Sequence, residues 1–238
     1  MIKTIYAYAC ISLTLVFSYI PYLWYLILGL FSKAKQEKTL HNYTALWGRT
    51  CVGFTGSNIE VIGKEKLPEG NVLYVGNHQS YYDIPLLLGH LPKPKAFVAK
   101  IELSKIPALS LWMKKMGCLF LDRGNLKQSL RVILKGIEQL KAGQTLVIFP
   151  EGTRSKSFKM GEFKKGSLKL GTKANVPIVP ITIMGSYELF EEKTQFQKRE
   201  VKIIIHDPIY PDQLTREEQN DLSSTVRDII AEPIKDFQ

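Results

Sequence analysis

Hydrophobic positions along this chain follow two different patterns. Residues 5–31 form an apolar run of 27 residues, and no charged side chain occurs anywhere from Thr4 to Ser32. Beyond it, short runs of Val, Ile and Leu alternate with longer segments whose apolar residues recur at helical spacing. The short runs are 59–62, 72–75, 96–99, 118–121, 145–149, 178–183 and 201–205. Several are continuously apolar, as strands covered on both faces are. Helices are predicted at 84–88, 107–116, 125–142, 164–173 and 222–234. The best is 125–142, with Leu126, Leu130, Ile133, Leu134, Ile137 and Leu140 on one face, Asn125 able to cap its start and Gly143 to end it. Strands alternating with helices predict an α/β fold, a largely parallel central sheet flanked by helices. The division expected is a membrane-associated helical segment over 1–57 and an α/β domain over 58–238.

As one helix, the apolar run would reach ~40 Å at 1.5 Å per residue. That exceeds the ~30 Å of a bilayer's hydrocarbon core, so the run can span with tilt. Pro21 near its middle should kink or interrupt it. Tyr19, Tyr22, Trp24 and Tyr25 cluster around that proline, and such aromatics prefer the membrane–water boundary. A broken helix that enters one leaflet without crossing is therefore a second arrangement. The run is too long for a signal-peptide core and no small-x-small cleavage site follows it. Lys33, Lys35 and Lys38 follow it, against Lys3 and the amino terminus before it. This bias places the globular domain on the cytoplasmic face, of the inner membrane if the source is bacterial. A second amphipathic helix is expected over 41–54, with Tyr43, Leu46, Trp47, Thr50, Val52 and Phe54.

The chain's 238 residues carry a net charge of +10, unevenly spread. Between Lys93 and Lys173 stand 18 Lys and Arg against 5 Asp and Glu, a surplus of +13 that leaves −3 for the remainder. A field so concentrated calls for an anionic partner: nucleic acid, an acidic membrane or a phosphorylated substrate. Part of it, such as Lys127, Lys135 and Lys141, reads as the solvated face of a helix. Cys10, Cys51 and Cys118 are odd in number and far apart. They suggest neither a metal site nor a disulfide framework, and buried thiols in a reducing compartment are the expectation.

The candidate chemistry gathers just after three predicted strands. The first cluster is Asn77-His78-Gln79-Ser80-Tyr81-Tyr82-Asp83. A neutral imidazole can take a proton near pH 7, and a carboxylate can hold its other ring N–H. His-x4-Asp is a loose pattern, and Asn or Ser before a helix also serves simply as a cap. The second cluster is Gly117 to Arg123, ending in Asp122-Arg123. The third is Phe149-Pro150-Glu151-Gly152-Thr153-Arg154-Ser155. Arg123 and Arg154 carry planar forks suited to phosphate, and Gly152 lets a ligand approach the backbone. In a parallel sheet all three clusters share one edge, where sites in such folds lie.

Together these blocks resemble the glycerolipid acyltransferase family, specifically the 1-acylglycerol-3-phosphate acyltransferases. The family's Asn-His-x4-Asp block is matched by 77–83 and its Gly-x-x-Phe-x-Asp-Arg block by 117–123. Its Phe-Pro-Glu-Gly-Thr-Arg-Ser block is matched by 149–155 and its Val-Pro-Ile-Val-Pro block by 176–180. The resemblance implies that His78 is the general base on the 2-hydroxyl of lysophosphatidic acid and that Asp83 orients it. The hydroxyl would attack the acyl thioester directly, giving phosphatidic acid. It implies that Arg123, Glu151, Gly152, Thr153 and Arg154 bind the glycerol phosphate, with Lys105 a further contact. The donor is acyl-CoA or an acyl carrier protein, the acceptor sits in membrane lipid, and no cofactor or metal is implied. The oxyanion donor is unassigned, backbone N–H groups near Gly152 being the candidates. His41, His90 and His206 read as surface or capping residues. The lysine-rich stretch 156–165 is either a phosphate or headgroup contact or a mobile surface loop. Alternatives are the same chemistry on another lysolipid, or a non-catalytic module binding acidic lipid. No nucleic-acid-binding module is present in the sequence.

Overall fold

The apolar segment is broken where proline chemistry demands it. In the computed structural model, which describes residues 2–164, 166–193 and 195–235, helix α1 (Ile2–Phe17) and helix α2 (Tyr19–Phe31) meet at Ser18. Pro21 has no N–H, and its ring crowds the carbonyl four residues back, that of Phe17. Ser18 Oγ donates instead to Leu15 O at 2.6 Å. Ser32 then leaves helical geometry (φ −159°, ψ 113°), and its hydroxyl accepts from the Lys35 N–H at 3.4 Å, opening α3 (Lys33–Gly53). Nothing interrupts the chain between Lys33 and His41, so α3 begins a full two turns before the predicted helix. Residues Ala9–Phe31, 23 in number with mean hydropathy 1.7, are long and apolar enough to cross a membrane, and most of that surface is exposed.

Seven strands form one sheet in the order β1-β7-β6-β2-β5-β3-β4. They are β1 (Asn58–Ile62), β2 (Leu73–Gly76), β3 (Ala96–Lys100), β4 (Leu119–Leu121), β5 (Leu146–Ile148), β6 (Ile178–Met184) and β7 (Glu200–Ile205). Each corresponds to one of the short apolar runs. Every neighbouring pair is parallel except β6 and β7. Strands β2, β5 and β6 are buried along their whole length, as their unbroken Val/Ile/Leu content requires. The fold is thus α/β with a mostly parallel sheet.

Crossover handedness sorts the helices into two layers. From β2 the chain moves two places through α4 (Asp83–His90) to β3, then outward through α5 (Pro107–Lys115) to β4. It returns through α6 (Leu126–Lys141) to β5 and through α7 (Lys169–Ala174) to β6. Movement in opposite directions with one hand puts α4 and α5 on one face and α6 and α7 on the other. The packing agrees. Leu15 of α1, Trp47 of α3, Leu88 of α4 and Met113 of α5 wall a common cavity, whereas α6 packs on α7. The final helix α8 (Arg216–Lys235) accepts a hydrogen bond from Thr182 Oγ1 of β6 at the Ile230 carbonyl, 2.9 Å.

Three further helix expectations are corrected, the first being the last helix, which begins at Arg216 and not at Leu222. The helix expected over 164–173 is only Lys169–Ala174, and Lys165 lies outside the described residues. On α6 the apolar stripe is turned from the face expected. Gly136 allows close approach to the sheet: a Cβ there would lie 2.6 Å from Leu170 Cδ2 and 3.0 Å from Leu119 Cδ1. The row through Val132, Gly136 and Leu140, with Ile133 and Ile137, therefore faces the core. Leu126, Leu130 and Leu134 are left 86%, 60% and 52% exposed. Gly136→Val is expected to lower folding stability by about 1–3 kcal/mol through overpacking, read as a lower denaturation midpoint. A change of the same size at Leu130→Val would mean that the helix packs by its other face.

Candidate active site

The site is built at the carboxyl edge of β2, β5 and β6. Leaving β2, Asn77 is locked to β6 by a two-way bond: its side-chain N–H₂ donates to Ile183 O and its side-chain O accepts from Ile183 N–H, both 2.8 Å. His78 follows, its ring stacked on Phe149 of the β5 exit, with centroids 4.2 Å apart and planes inclined by 15°. His78 Nδ1 lies 2.7 Å from Asp83 Oδ2. The same carboxylate oxygen accepts the Gln79 and Ser80 backbone N–H groups at 2.7 and 2.9 Å. Its other oxygen accepts the Ser186 hydroxyl at 2.5 Å. Asp83 opens α4 and is wholly buried. With a carboxylate facing it, Nδ1 carries the proton, so Nε2 is left as the basic nitrogen.

The loop after β5 is zipped to this one. Ser155 N–H donates to His78 O at 2.7 Å and Lys156 N–H to Gln79 O at 3.2 Å. Glu151 accepts His78 N–H on Oε1 at 2.7 Å and Gly161 N–H on Oε2 at 2.8 Å. Burial pushes its carboxyl above the ordinary carboxylate range, with those two N–H groups pulling the other way. Gly152 adopts φ +73°, a left-handed geometry that favours glycine, and a Cβ there would meet Lys164 Nζ at 2.9 Å. Gly152 N–H is taken by Phe149 O at 3.0 Å, while Thr153 and Arg154 N–H have no partner among the described residues. Arg154 lies with its guanidinium carbon 3.3 Å from the centre of the Tyr81 ring and donates to Glu191 Oε1 at 2.9 Å.

One cavity of about 600 Å³ joins these parts. His78, Arg123, Gly152, Thr153 and Arg154 all line it. Asp83 and Glu151 stand behind its wall, both buried. Lys105, expected as a phosphate contact, is exposed at the end of a 3-10 turn and does not line it. Lys100 does line it, paired with Glu102 at 2.8 Å. The rest of the wall is mostly apolar and extends to Leu15 and Trp47 of the N-terminal helices. Cys118 also lines it, but burial pushes that thiol up to about 12. Among the described residues no group of three or more His, Cys, Asp or Glu could hold a metal ion.

Two residues that complete the geometry escaped the sequence reading. Ser186 follows β6 on the same sheet edge, and that position is the only signal it carries. Glu191 stands in the acidic stretch 188–192, outside every motif. It is 4% exposed in its side chain and accepts three donors: Ser80 Oγ at 2.7 Å, Tyr81 N–H at 2.8 Å and Arg154.

Comparison with known proteins agrees with this architecture. The family model Acyltransferase matches residues 58–184, more than half of the chain. This chain belongs to the acyltransferase family. A probable 1-acyl-sn-glycerol-3-phosphate acyltransferase of Mycoplasma genitalium is 32% identical over 82% of this chain and 76% of its own length. A protein of the same description from Mycoplasma pneumoniae is 37% identical over 66% of this chain and 63% of its own. The chain spans about half the length of the chloroplast relatives from Brassica napus and Arabidopsis thaliana, 52% and 50%. The crystal structure of a 1-acyl-sn-glycerophosphate acyltransferase from Thermotoga maritima superposes with a TM-score of 0.86 at 31% identity, over 99% of this chain and 95% of that one.

Within this acyltransferase-family fold, Ser186→Ala removes a hydrogen bond to the buried carboxylate without disturbing the cavity wall. The expected result is a fall in turnover of about tenfold, the scale of one charge-assisted hydrogen bond, with substrate KM unchanged. Steady-state kinetics on a variant of wild-type thermal stability checks it.

Proposed function

We propose that this protein transfers a fatty acyl group from a thioester donor to the 2-hydroxyl of 1-acyl-sn-glycerol 3-phosphate, forming phosphatidic acid. The observation that carries the reading is the 2.7 Å His78–Asp83 contact on a cavity that also receives Arg123 and Arg154. In this mechanism His78 Nε2 takes the hydroxyl proton as the oxygen attacks the thioester carbon. Asp83 keeps the opposite ring nitrogen protonated and stabilises the imidazolium that forms. The O–C bond forms, the carbonyl becomes an oxyanion, and collapse expels the thiolate as the C–S bond breaks. His78 then returns its proton to the leaving sulfur. The free N–H groups of Thr153 and Arg154 are suited to the oxyanion, electrostatic help that is commonly the largest catalytic term.

Direct transfer without a covalent enzyme intermediate is supported by the cavity's nucleophile content. Its one thiol, Cys118, is neutral at physiological pH because burial raises it to about 12. Arg123 and Arg154 bind the acceptor phosphate, Gly152 and Thr153 form the adjoining backbone, and the apolar wall receives an acyl chain. Glu151 organises rather than binds. Both of its oxygens already accept N–H groups, and a carboxylate repels a phosphate. Lys105 has its support only from the family resemblance, and Lys100 and Lys164 lie closer to the site.

The segment Ile2–Phe31 attaches the enzyme to a membrane, with Lys33, Lys35 and Lys38 on the cytoplasmic side. Lying in one leaflet is favoured over crossing. Tyr22 and Tyr25 of α2 pack on Trp112 of α5, with ring centres 5.2 and 6.0 Å apart, which holds the segment against the globular body.

The test is a product assay on purified protein in mixed micelles, with lysophosphatidic acid and other lysolipids as acceptors. Turnover of lysophosphatidic acid above all others is expected. Equal use of a phosphate-free lysolipid rejects the arginine assignment. His78→Ala should reduce turnover by about 10²–10⁴ or more with membrane attachment intact. Arg154→Ala should raise KM for the acceptor by about tenfold or more, with the KM of the donor unchanged, since a bidentate charged contact is lost.

A further inference from the structure

Helix α6 carries a surface for which the acyl-transfer chemistry has no use. Leu126, Leu130 and Leu134 recur every four residues and stand 86%, 60% and 52% exposed. One residue further on, Lys127, Arg131 and Lys135 recur at the same spacing and are exposed as well. Residues four apart share one helix face, so the two sets form adjacent ridges, one apolar and one cationic. None of the three cations forms an ion pair among the described residues. A contiguous apolar strip on a soluble layer of a protein marks a contact site. Its cationic border selects an acidic occupant.

Placement narrows the occupant further. The helix starts three residues after Arg123, on the cavity rim, and Leu126 to Leu134 covers ~12 Å of axis at 1.5 Å per residue. It lies in the layer of α7, on the opposite face of the sheet from α1 and α3, whose residues share the cavity with α4 and α5. Lipid bound to the N-terminal helices leaves this layer turned towards water. An acidic amphipathic helix of a soluble protein, its carboxylates on the cations and its apolar side chains on the leucines, matches both ridges.

We propose that this face of α6 docks a small acidic acyl carrier protein, which delivers the thioester to the cavity mouth beside Arg123. The proposal rests on the acyl-transfer reading and identifies how one donor is recognised. The first turn of α6 sits nearest the mouth, so a carrier seated along the helix has its thioester-bearing arm at the rim.

The experiment uses the full-length protein with lysophosphatidic acid and two donors, palmitoyl-carrier protein and palmitoyl-CoA. Two variants are compared with wild type: K127E/R131E/K135E, which reverses the charge, and L130S/L134S, which changes only exposed side chains. In both variants KM for palmitoyl-carrier protein is expected to rise about tenfold or more, with kcat and KM for palmitoyl-CoA within twofold of wild type. Wild-type KM for the carrier protein, but not for CoA, rises with salt under the same assignment. An unchanged carrier KM in both variants overturns the proposal, as does turnover of palmitoyl-CoA without turnover of the carrier-bound donor. Equal loss with both donors, with weaker sedimentation on phosphatidylglycerol–phosphatidylcholine vesicles, overturns it in favour of a lipid contact. Activity with neither donor in the wild type rejects acyl transfer itself.

Discussion

A carboxylate sealed away from water needs hydrogen-bond donors, and at Asp83 the fold supplies four, three on Oδ2 and one on Oδ1. Two backbone N–H groups, a serine hydroxyl and an imidazole converge on it. An uncompensated charge in that position would cost several kcal/mol, so the surrounding chain has little freedom to rearrange. The loop from β2 must wrap the carboxylate, α4 must begin at it, and β6 must end where Ser186 can reach it. The orientation of His78 follows from these demands. Site geometry and local stability are here one requirement.

Two further acids extend the same principle outward. Glu151 joins the backbone of His78 to that of Gly161, and Glu191 joins Ser80 and Tyr81 to Arg154. Each links segments far apart in sequence and uses its charge to hold N–H or O–H donors. A strongly basic face is thereby held in place by a few acids set behind it. Of the cations that line the cavity, Arg154 is held flat against Tyr81 and bonded to Glu191, Lys100 is paired with Glu102, and Arg123 has no ion-pair partner among the described residues.

The strands were legible because continuous Val, Ile and Leu runs have few other uses in a chain of this size. The parallel sheet then placed three motif clusters on one edge, and the cavity gathers residues from all three. The facing of α6 was not legible. Periodicity finds two acceptable apolar ridges on that helix, and only the small volume of Gly136 against Leu119 and Leu170 decides between them. The same limit hid Ser186 and Glu191. Ser186 bonds to Asp83, 103 residues away, and Glu191 to Ser80, 111 away, and neither stands in a motif. Pro21 was readable as a break, yet the place of the break at Ser18 follows from the clash with Phe17 rather than from the proline's own position.

Leu15 and Trp47, contributed by the first and third helices, form part of the cavity wall, and Trp47 Nε1 donates to Thr14 Oγ1 at 3.1 Å to bind those helices together. The N-terminal helices, with a stretch long and apolar enough to cross a membrane, are therefore also masonry of the cavity. Trimming them away would unroof the compartment and flood it, so the apolar segment and the pocket cannot be inherited separately. Evolution acting on those helices would at the same time be reshaping the vessel.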